Sequence, residues 1–128
     1  MRCGDAVLLP APGGPIKPHL WFLITEPDAA SFQCVIVNVT TLRSHCDRTL
    51  ILQKGEHPFI RQPSAVSFAD ARIVDARQIE AGLRAGTTVA HAPCSPDLLR
   101  LIQEATLVSP HTPNKVVAYC RRAWGKGG

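Results

Sequence analysis

HLWFLIT, residues 19–25, is the stretch that decides the predicted fold. This nearly continuous apolar run is bounded by the polar segment EPDAAS (26–31), a pattern typical of a central, buried β-strand. The next stretch, FQCVIVNVT (32–40), is rich in β-branched residues and alternates in its second half, so it predicts another strand. Because only a short loop joins the two strands, we expect them to pair antiparallel.

Further strands are predicted on both sides of this pair. They are the segments DAVLLP (5–10), TLIL (49–52), SAVSF (64–68) and ARIVD (71–75), the last two forming one strand or two. The Pro- and Gly-rich segment 11–18 is predicted to be a loop, since it is unsuited to regular structure. The segment QKGEHPFIRQP (53–63) is predicted to be a turn-rich excursion, because Pro58 and Pro63 exclude a central strand.

The pattern changes from strands to helices after residue 75. In DARQIEAGLRAG (75–86), Asp75 suits an N-cap, with Gln78 three residues later as in a capping box. Gly86 suits the end of this helix. The apolar residues expected on one helical face are Ala76, Ile79 and Leu83.

A second helix is predicted over SPDLLRLIQEA (95–105). Ser95 can cap it, and Pro96 fits the first helical position. The residues expected to form its buried stripe are Leu98, Leu101, Ile102 and Ala105.

The order of these elements predicts the fold class. Several short strands followed by helices indicate a mainly β protein, a small SH3-like or OB-like antiparallel barrel packed by one or two C-terminal helices. We assign residues 1–108 to this barrel domain with its closing helix, and residues 109–128 to a basic C-terminal tail. The tail has no acidic residue, and its cations account for the net charge of +4; they are Lys115, Arg121, Arg122 and Lys126.

Composition excludes several classes of protein. With 128 residues, 45% of them hydrophobic and 19% charged, the chain indicates one folded domain rather than a disordered one. Aromatic residues, at 5%, are too few for a broad surface that stacks many bases. No signal peptide or membrane-spanning run is evident, so we expect a cytoplasmic protein without a membrane partner.

The cysteines indicate neither a disulfide framework nor a metal site. They are odd in number, widely spaced and free of CxxC pairs, at Cys3, Cys34, Cys46, Cys94 and Cys120. We therefore expect no bound metal and no cofactor.

Basic and hydroxyl-bearing residues cluster at the ends of the two central strands. Lys17 and His19 lie where the first of these strands begins, and a polar cluster follows the end of the second. The members of this cluster are Thr40, Thr41, Arg43, Ser44 and His45. Because the start of one antiparallel strand lies beside the end of the next, both groups should meet at one rim of the sheet.

These residue types suit the cleavage of a phosphodiester without a metal ion. A histidine can handle the proton of the attacking 2′-hydroxyl or that of the leaving oxygen. Arginine or lysine stabilises the negative charge that gathers on phosphorus, and a threonine hydroxyl can hydrogen-bond a phosphate oxygen.

In the order of its motifs, the chain resembles the MazF/PemK/Kid-type toxins of bacterial type II toxin–antitoxin systems. The matching segments are GDAVLLP (4–10), KPHLWFLIT (17–25), CVIVNVTT (34–41), FADARIVD (68–75) and AHAPCSPDLLRLIQEA (90–105). The resemblance implies an SH3-like barrel that cleaves single-stranded RNA. It also implies a homodimer and an antitoxin-like peptide or protein as a partner.

The resemblance also implies where the site residues fall. The family's essential arginine matches the segment Lys17 to His19, and its essential threonine or serine matches Thr40 or Thr41. Lysine keeps the positive charge but lacks the planar fork with which arginine binds phosphate. His19 can act there as acid or base, or Arg43 can reach the phosphate from the loop that follows. The segment GEHPFI (55–60) has no counterpart in the better-known toxins.

The resulting hypothesis is a toxin-like, metal-independent endoribonuclease. Its predicted catalytic residues are Lys17, His19, Thr40, Thr41 and Arg43, and its predicted binding residues are His45, His57 and Asp70. Two alternatives stay open. One is a non-catalytic barrel that binds a protein segment or nucleic acid, and the other is a small hydrolase based on His45 and Cys46.

Overall fold

A computed structural model describes residues 1–10 and 18–125 of the chain. The strands are β1 (Ala6–Pro10), β2 (Pro18–Leu23), β3 (Gln33–Thr41), β4 (Ile51–Leu52), β5 (Ser64–Asp75) and β6 (Val89–His91). The helices are α1 (Ala76–Ala85), α2 (Pro96–Val108) and α3 (Asn114–Ala123). The predicted fold class, mainly β with helices toward the C-terminus, is confirmed.

The six strands form a curled antiparallel sheet in the order β4-β5-β3-β2-β1-β6. The strands β2 and β3 occupy its centre, as the apolar run HLWFLIT predicts. The register pairs Leu20 with Val39 and Leu23 with Ile36. The curl gives a half-barrel whose two edge strands are β4 and β6.

Both faces of the central strands are buried, which explains why β2 is apolar at consecutive positions. Leu20 and Phe22 belong to the larger core cluster, which also contains buried residues of α2 and α3. Trp21 and Leu23 belong to a second cluster on the opposite face, which Ile79 of α1 covers. Burial of apolar surface against helices on both faces is the main stabilising contribution to such a sheet.

Three of the predicted helix ends are observed, whereas α2 continues beyond the predicted end at Ala105 to Val108. The Asp75 carboxylate accepts a hydrogen bond of 2.9 Å from the Arg77 amide at the start of α1. Gly86 follows the last turn with a φ of 80°, a left-handed conformation that glycine adopts without a Cβ clash. The Ser95 hydroxyl accepts a hydrogen bond of 3.1 Å from the Leu98 amide and caps α2.

The structure decides one open detail of the predicted elements and differs from the prediction in another. The segments 64–68 and 71–75 form one continuous strand, β5, and the shift in register falls opposite, between Ile36 and Asn38 of β3. Leu101 is 45% exposed, whereas Leu98, Ile102 and Ala105 are buried as predicted. The stripe of α2 is therefore narrower than its sequence spacing indicates.

The segment predicted to be a basic tail contains the third helix. Val116 and Cys120 of α3 are fully buried in the larger core cluster, while its cations Lys115, Arg121 and Arg122 are exposed. The residues that follow α2 therefore contribute to the core. None of the helices in residues 1–10 and 18–125 is long and apolar enough to cross a membrane.

The loop between β4 and β5, residues 53–63, reaches the opposite edge of the sheet, and we call it the strap. It is tightened by a hydrogen bond of 3.2 Å from the Gly55 amide to the Ile60 carbonyl, and Ile60 is buried in the core. Its His57 side chain lies 2.6 Å from the Ala92 carbonyl, directly after β6. The strap thus connects the two edges that the sheet leaves open.

Candidate functional site

Two adjoining pockets lie at the rim where β2 begins and β3 ends, and both are lined by His19, Thr40 and Arg43. We call the first, of about 330 Å³, the Asp70 pocket. Its other polar lining residues include His45, Cys46, Asp47, Ser67, Asp70 and His111. We call the second, of about 550 Å³, the Phe59 pocket, whose further lining residues include Thr41, Pro58, Phe59, Arg61, Gln62 and His91.

The pairing of the central strands creates this rim. Since Leu20 is paired with Val39, the next residues outward on the two strands are His19 and Thr40. Arg43 follows β3 in a turn whose Cys46 amide donates a hydrogen bond of 3.2 Å to the Arg43 carbonyl. The three shared residues thus come from the ends of two central strands and the turn beyond them.

The structure gathers most of the predicted site residues around this rim. His19 and Thr40 are half-buried, whereas Arg43, His45 and Asp70 are exposed at the mouth of the Asp70 pocket. Thr41 lies on the other side, in the Phe59 pocket, where its hydroxyl accepts a hydrogen bond of 3.4 Å from Gln62. Lys17 lies outside the described residues.

His57 does not line either pocket, although the sequence predicts it as a binding residue. It is 2% exposed, and its ring packs edge-on against Phe22 with centroids 5.3 Å apart. Its Nδ1 accepts a hydrogen bond of 3.1 Å from the Phe59 amide, so its Nε2–H donates to the Ala92 carbonyl. Burial lowers the pKa of His57, which favours the neutral ring, and the hydrogen bond from the Phe59 amide selects the tautomer.

Asn38 lies beside the ring of His19. Its side-chain amide nitrogen is 3.4 Å from His19 Nδ1. Asn38 is only 4% exposed, and its Oδ1 has no hydrogen-bond partner among the described residues. The contact with Asn38 therefore helps to orient the His19 ring at the rim.

Sequence reasoning missed His111 and Asp47, which also line the Asp70 pocket. The Asp47 carboxylate accepts hydrogen bonds of 2.6 Å from the hydroxyls of both Ser109 and Thr49. Burial alone would raise the pKa of Asp47, but these hydrogen bonds and the nearby His111 hold it below the usual value. The carboxylate is thus ionised, and it lines the pocket together with His111.

No local spacing in the sequence reveals this second histidine. His111 reaches the pocket because α2 ends beside the loop that follows β3, where the Ser109 hydroxyl bonds to Asp47. Such a contact between distant parts of the chain depends on the packed fold.

The two pockets differ in charge. Asp47 and Asp70 line the Asp70 pocket, where the Asp70 carboxylate accepts a hydrogen bond of 2.7 Å from the Ser67 hydroxyl. No aspartate or glutamate is found among the described residues that line the Phe59 pocket, which contains Arg43 and Arg61. The ion pairs formed within residues 1–10 and 18–125 leave both arginines out.

The Cys46 thiol is engaged with the backbone. Its Sγ lies 3.3 Å from the Arg43 amide and 3.6 Å from the Thr41 carbonyl, and this contact fastens the turn after β3. Nowhere in the described part of the chain do three or more His, Cys, Asp or Glu side chains form a group that could hold a metal ion.

No protein-family model matches the chain, and a search of curated proteins returned no match. The function is therefore inferred from the geometry and charge of the two pockets.

Proposed function

We propose that the protein is a toxin-like endoribonuclease that cleaves single-stranded RNA, without a metal ion, where the two pockets meet. The observation that supports this most is the presence of His19, Thr40 and Arg43 in the lining of both pockets. An acid, a hydroxyl and a guanidinium are thereby available to one phosphate. The resemblance to MazF/PemK/Kid-type toxins implies the same substrate.

Arg43 is the residue that binds the scissile phosphate in this proposal. Its guanidinium is exposed and stands outside the ion pairs of the described residues, so it can donate two parallel hydrogen bonds to phosphate oxygens. The Thr40 hydroxyl adds a hydrogen bond to a non-bridging oxygen. Both contacts strengthen as the pentacoordinate phosphorane gathers negative charge. The proposal also keeps Lys17, which matches the position of the family's arginine, as a second positive charge for the phosphate.

The reaction transfers one proton at each end. A histidine takes the proton from the 2′-hydroxyl, the O2′–P bond forms, and the P–O5′ bond breaks as O5′ receives a proton. The products are a 2′,3′-cyclic phosphate and a 5′-hydroxyl. The acid that protonates O5′ must be an imidazolium, and His19 is the candidate for this role because it lines both pockets. His45 and His111 in the Asp70 pocket are the two candidates for the base.

The proposal includes the partners that the resemblance implies. An antitoxin-like peptide would need negative charge to compete with RNA for Arg43 and Arg61. A homodimer, in the cytoplasm, completes the proposal. Size-exclusion chromatography with light scattering tests the dimer.

The decisive experiment uses long single-stranded RNA in excess EDTA, with the purified wild type and the His19→Ala and Thr40→Val variants. Thr87→Val is the matched control, because Thr87 is exposed in the turn after α1 and lines neither pocket. We expect cleavage by the wild type and the control, with 5′-hydroxyl ends that a polynucleotide kinase can label, and loss of cleavage in both site variants.

Two results would overturn the proposal. Cleavage that persists in His19→Ala places the chemistry elsewhere. RNA binding without cleavage by the folded wild type identifies the alternative, a non-catalytic barrel.

A further inference from the structure

The segment GEHPFI (55–60), which has no counterpart in the resemblance, places an aromatic ring beside the proposed scissile phosphate. Phe59 is 38% exposed at the tip of the strap. It lines the same pocket as His19, Thr40 and Arg43. Phe59 therefore adds an aromatic surface to a pocket that is otherwise lined largely by polar and cationic side chains.

The position of Phe59 is fixed before any ligand arrives. Its amide donates to His57 Nδ1 at 3.1 Å, and His57 is held in turn by the Ala92 carbonyl at 2.6 Å. The Phe59 ring meets the His91 ring edge-on, with centroids 5.6 Å apart. The next residue, Ile60, is buried at 4% exposure. A braced aromatic ring loses little conformational entropy when a planar group stacks on it.

The surroundings of Phe59 favour a ligand that is both planar and anionic. Arg43 and Arg61 both line the pocket and are exposed, and the described part of the lining contains no carboxylate. Thr41 and Gln62 add hydroxyl and amide groups that can hydrogen-bond a base edge. The volume of about 550 Å³ lies within the range of pockets that enclose small ligands, so one nucleoside fits.

We infer that the Phe59 pocket binds one nucleobase of the RNA strand, stacked on the Phe59 ring, directly beside the phosphate held by Arg43. Arg61 contacts the neighbouring phosphate. This inference rests on the proposed function for the identity of the strand. The sequence composition excludes a broad stacking surface, but one braced ring is enough to position one base next to the bond that is cut.

The test measures binding, because binding can succeed where cleavage fails. The probes are two fluorescein-labelled oligonucleotides of about 12 nucleotides, one of 2′-deoxyuridines and one of abasic residues with the same phosphates. Neither can be cleaved through a 2′-hydroxyl. The proteins are the wild type, Phe59→Leu, Phe59→Trp, and Phe32→Leu as the matched control. Phe32 is 40% exposed, on the turn before β3, away from both pockets.

We expect the wild type to bind the base-bearing probe about tenfold more tightly than the abasic probe, since one stacked base contributes that much. The preference should disappear in Phe59→Leu and persist in Phe59→Trp and Phe32→Leu. Equal affinity of the wild type for the two probes overturns the inference without any variant. A preference that survives in folded Phe59→Leu overturns it as well.

The outcomes separate this inference from the proposed function. A base preference that depends on Phe59, in a protein that cuts no RNA, retains the stacking site and removes the catalysis. Cleavage by a protein without such a preference retains the catalysis and removes the stacking site.

Discussion

The Asp70 pocket and the Phe59 pocket share three lining residues but differ in charge and in construction. The Asp70 pocket contains two carboxylates and is built from β3, β5 and the loop after α2. The Phe59 pocket contains two arginines and no described carboxylate, and its outer wall is the strap. A polyanion is therefore attracted more strongly to the Phe59 side of the rim than to the Asp70 side.

This difference in charge predicts how a bound RNA strand lies along the rim. The phosphates of a bound strand should follow Arg43 and Arg61 along the Phe59 side. The Asp70 side, with its histidines and hydrogen-bonded carboxylates, suits proton transfer and the donor groups of a base. Substitutions at four positions test this difference between the two pockets.

Substitution of Arg43 should have the largest effect on RNA cleavage, because Arg43 lines both pockets. Arg43→Ala should lower kcat/KM for RNA cleavage about 100-fold, as expected for loss of one charge-assisted contact to the transition state. Arg48→Ala is the matched control, since Arg48 is also exposed and lines neither pocket. Equal losses in the two variants would mean that only general charge matters.

Substitution of His57 should lower the free energy of unfolding, because His57 holds the strap that forms one wall of the Phe59 pocket. His57→Phe keeps the ring packing but leaves the Phe59 amide and the Ala92 carbonyl unpaired, which should cost about 2 kcal/mol of unfolding free energy at pH 8. Urea denaturation monitored by circular dichroism measures this cost.

The cost of His57→Phe should also depend on pH. Because the native pKa of His57 is lowered, the unfolded state binds more protons as the pH falls below about 6.5. His57 therefore stabilises the fold fully above that pH and progressively less below it, so the difference between wild type and variant should shrink on acidification. A difference that grows instead would show that His57 is not neutral in the fold; its nearest titrating neighbour is His91.

Arg61 should affect the salt dependence of binding. Arg61→Gln should reduce the slope of log K against log salt by about 0.7 for a single-stranded probe, the value for one phosphate contact. Fluorescence anisotropy over a range of salt concentrations measures the slope. Arg84→Gln, an exposed change on α1, should leave it unchanged.

Substitution of Asp70 should have the smallest effect, and it should strengthen binding of the strand rather than weaken it. Asp70→Asn keeps an oxygen for the Ser67 hydroxyl but removes a negative charge at the mouth of the Asp70 pocket. Binding of a non-cleavable oligonucleotide should tighten about threefold at low salt and hardly change at high salt. Weaker binding at low salt would mean that Asp70 contacts the strand directly.

Local patterns in the sequence predict the sheet and two helices well. The apolar run 19–25 identifies a strand buried on both faces, and Asp75, Gly86 and Ser95 mark helix ends where the structure has them. These signals work because capping and strand burial are determined by residues close together in the chain.

Local sequence patterns do not predict the elements whose form depends on the packed structure. The strand β6 has three residues and exists only through its pairing with β1. In α3, Val116 and Cys120 are the helical i, i+4 pair that faces the core, but the basic residues around them led to a tail prediction. His111 and Asp47 likewise meet only when α2 packs beside the loop after β3.

The strap and β6 also bear on how the nascent chain emerges from the ribosome. The meander β1–β2–β3 can pair early, but the free side of β1 gains its partner only when residues 89–91 appear. The hydrogen bond between His57 and the Ala92 carbonyl can form only at the same stage of synthesis. Until then β1 presents unpaired amides and carbonyls, which invite aggregation with other chains. Truncations that end before residue 89 should accordingly accumulate in inclusion bodies.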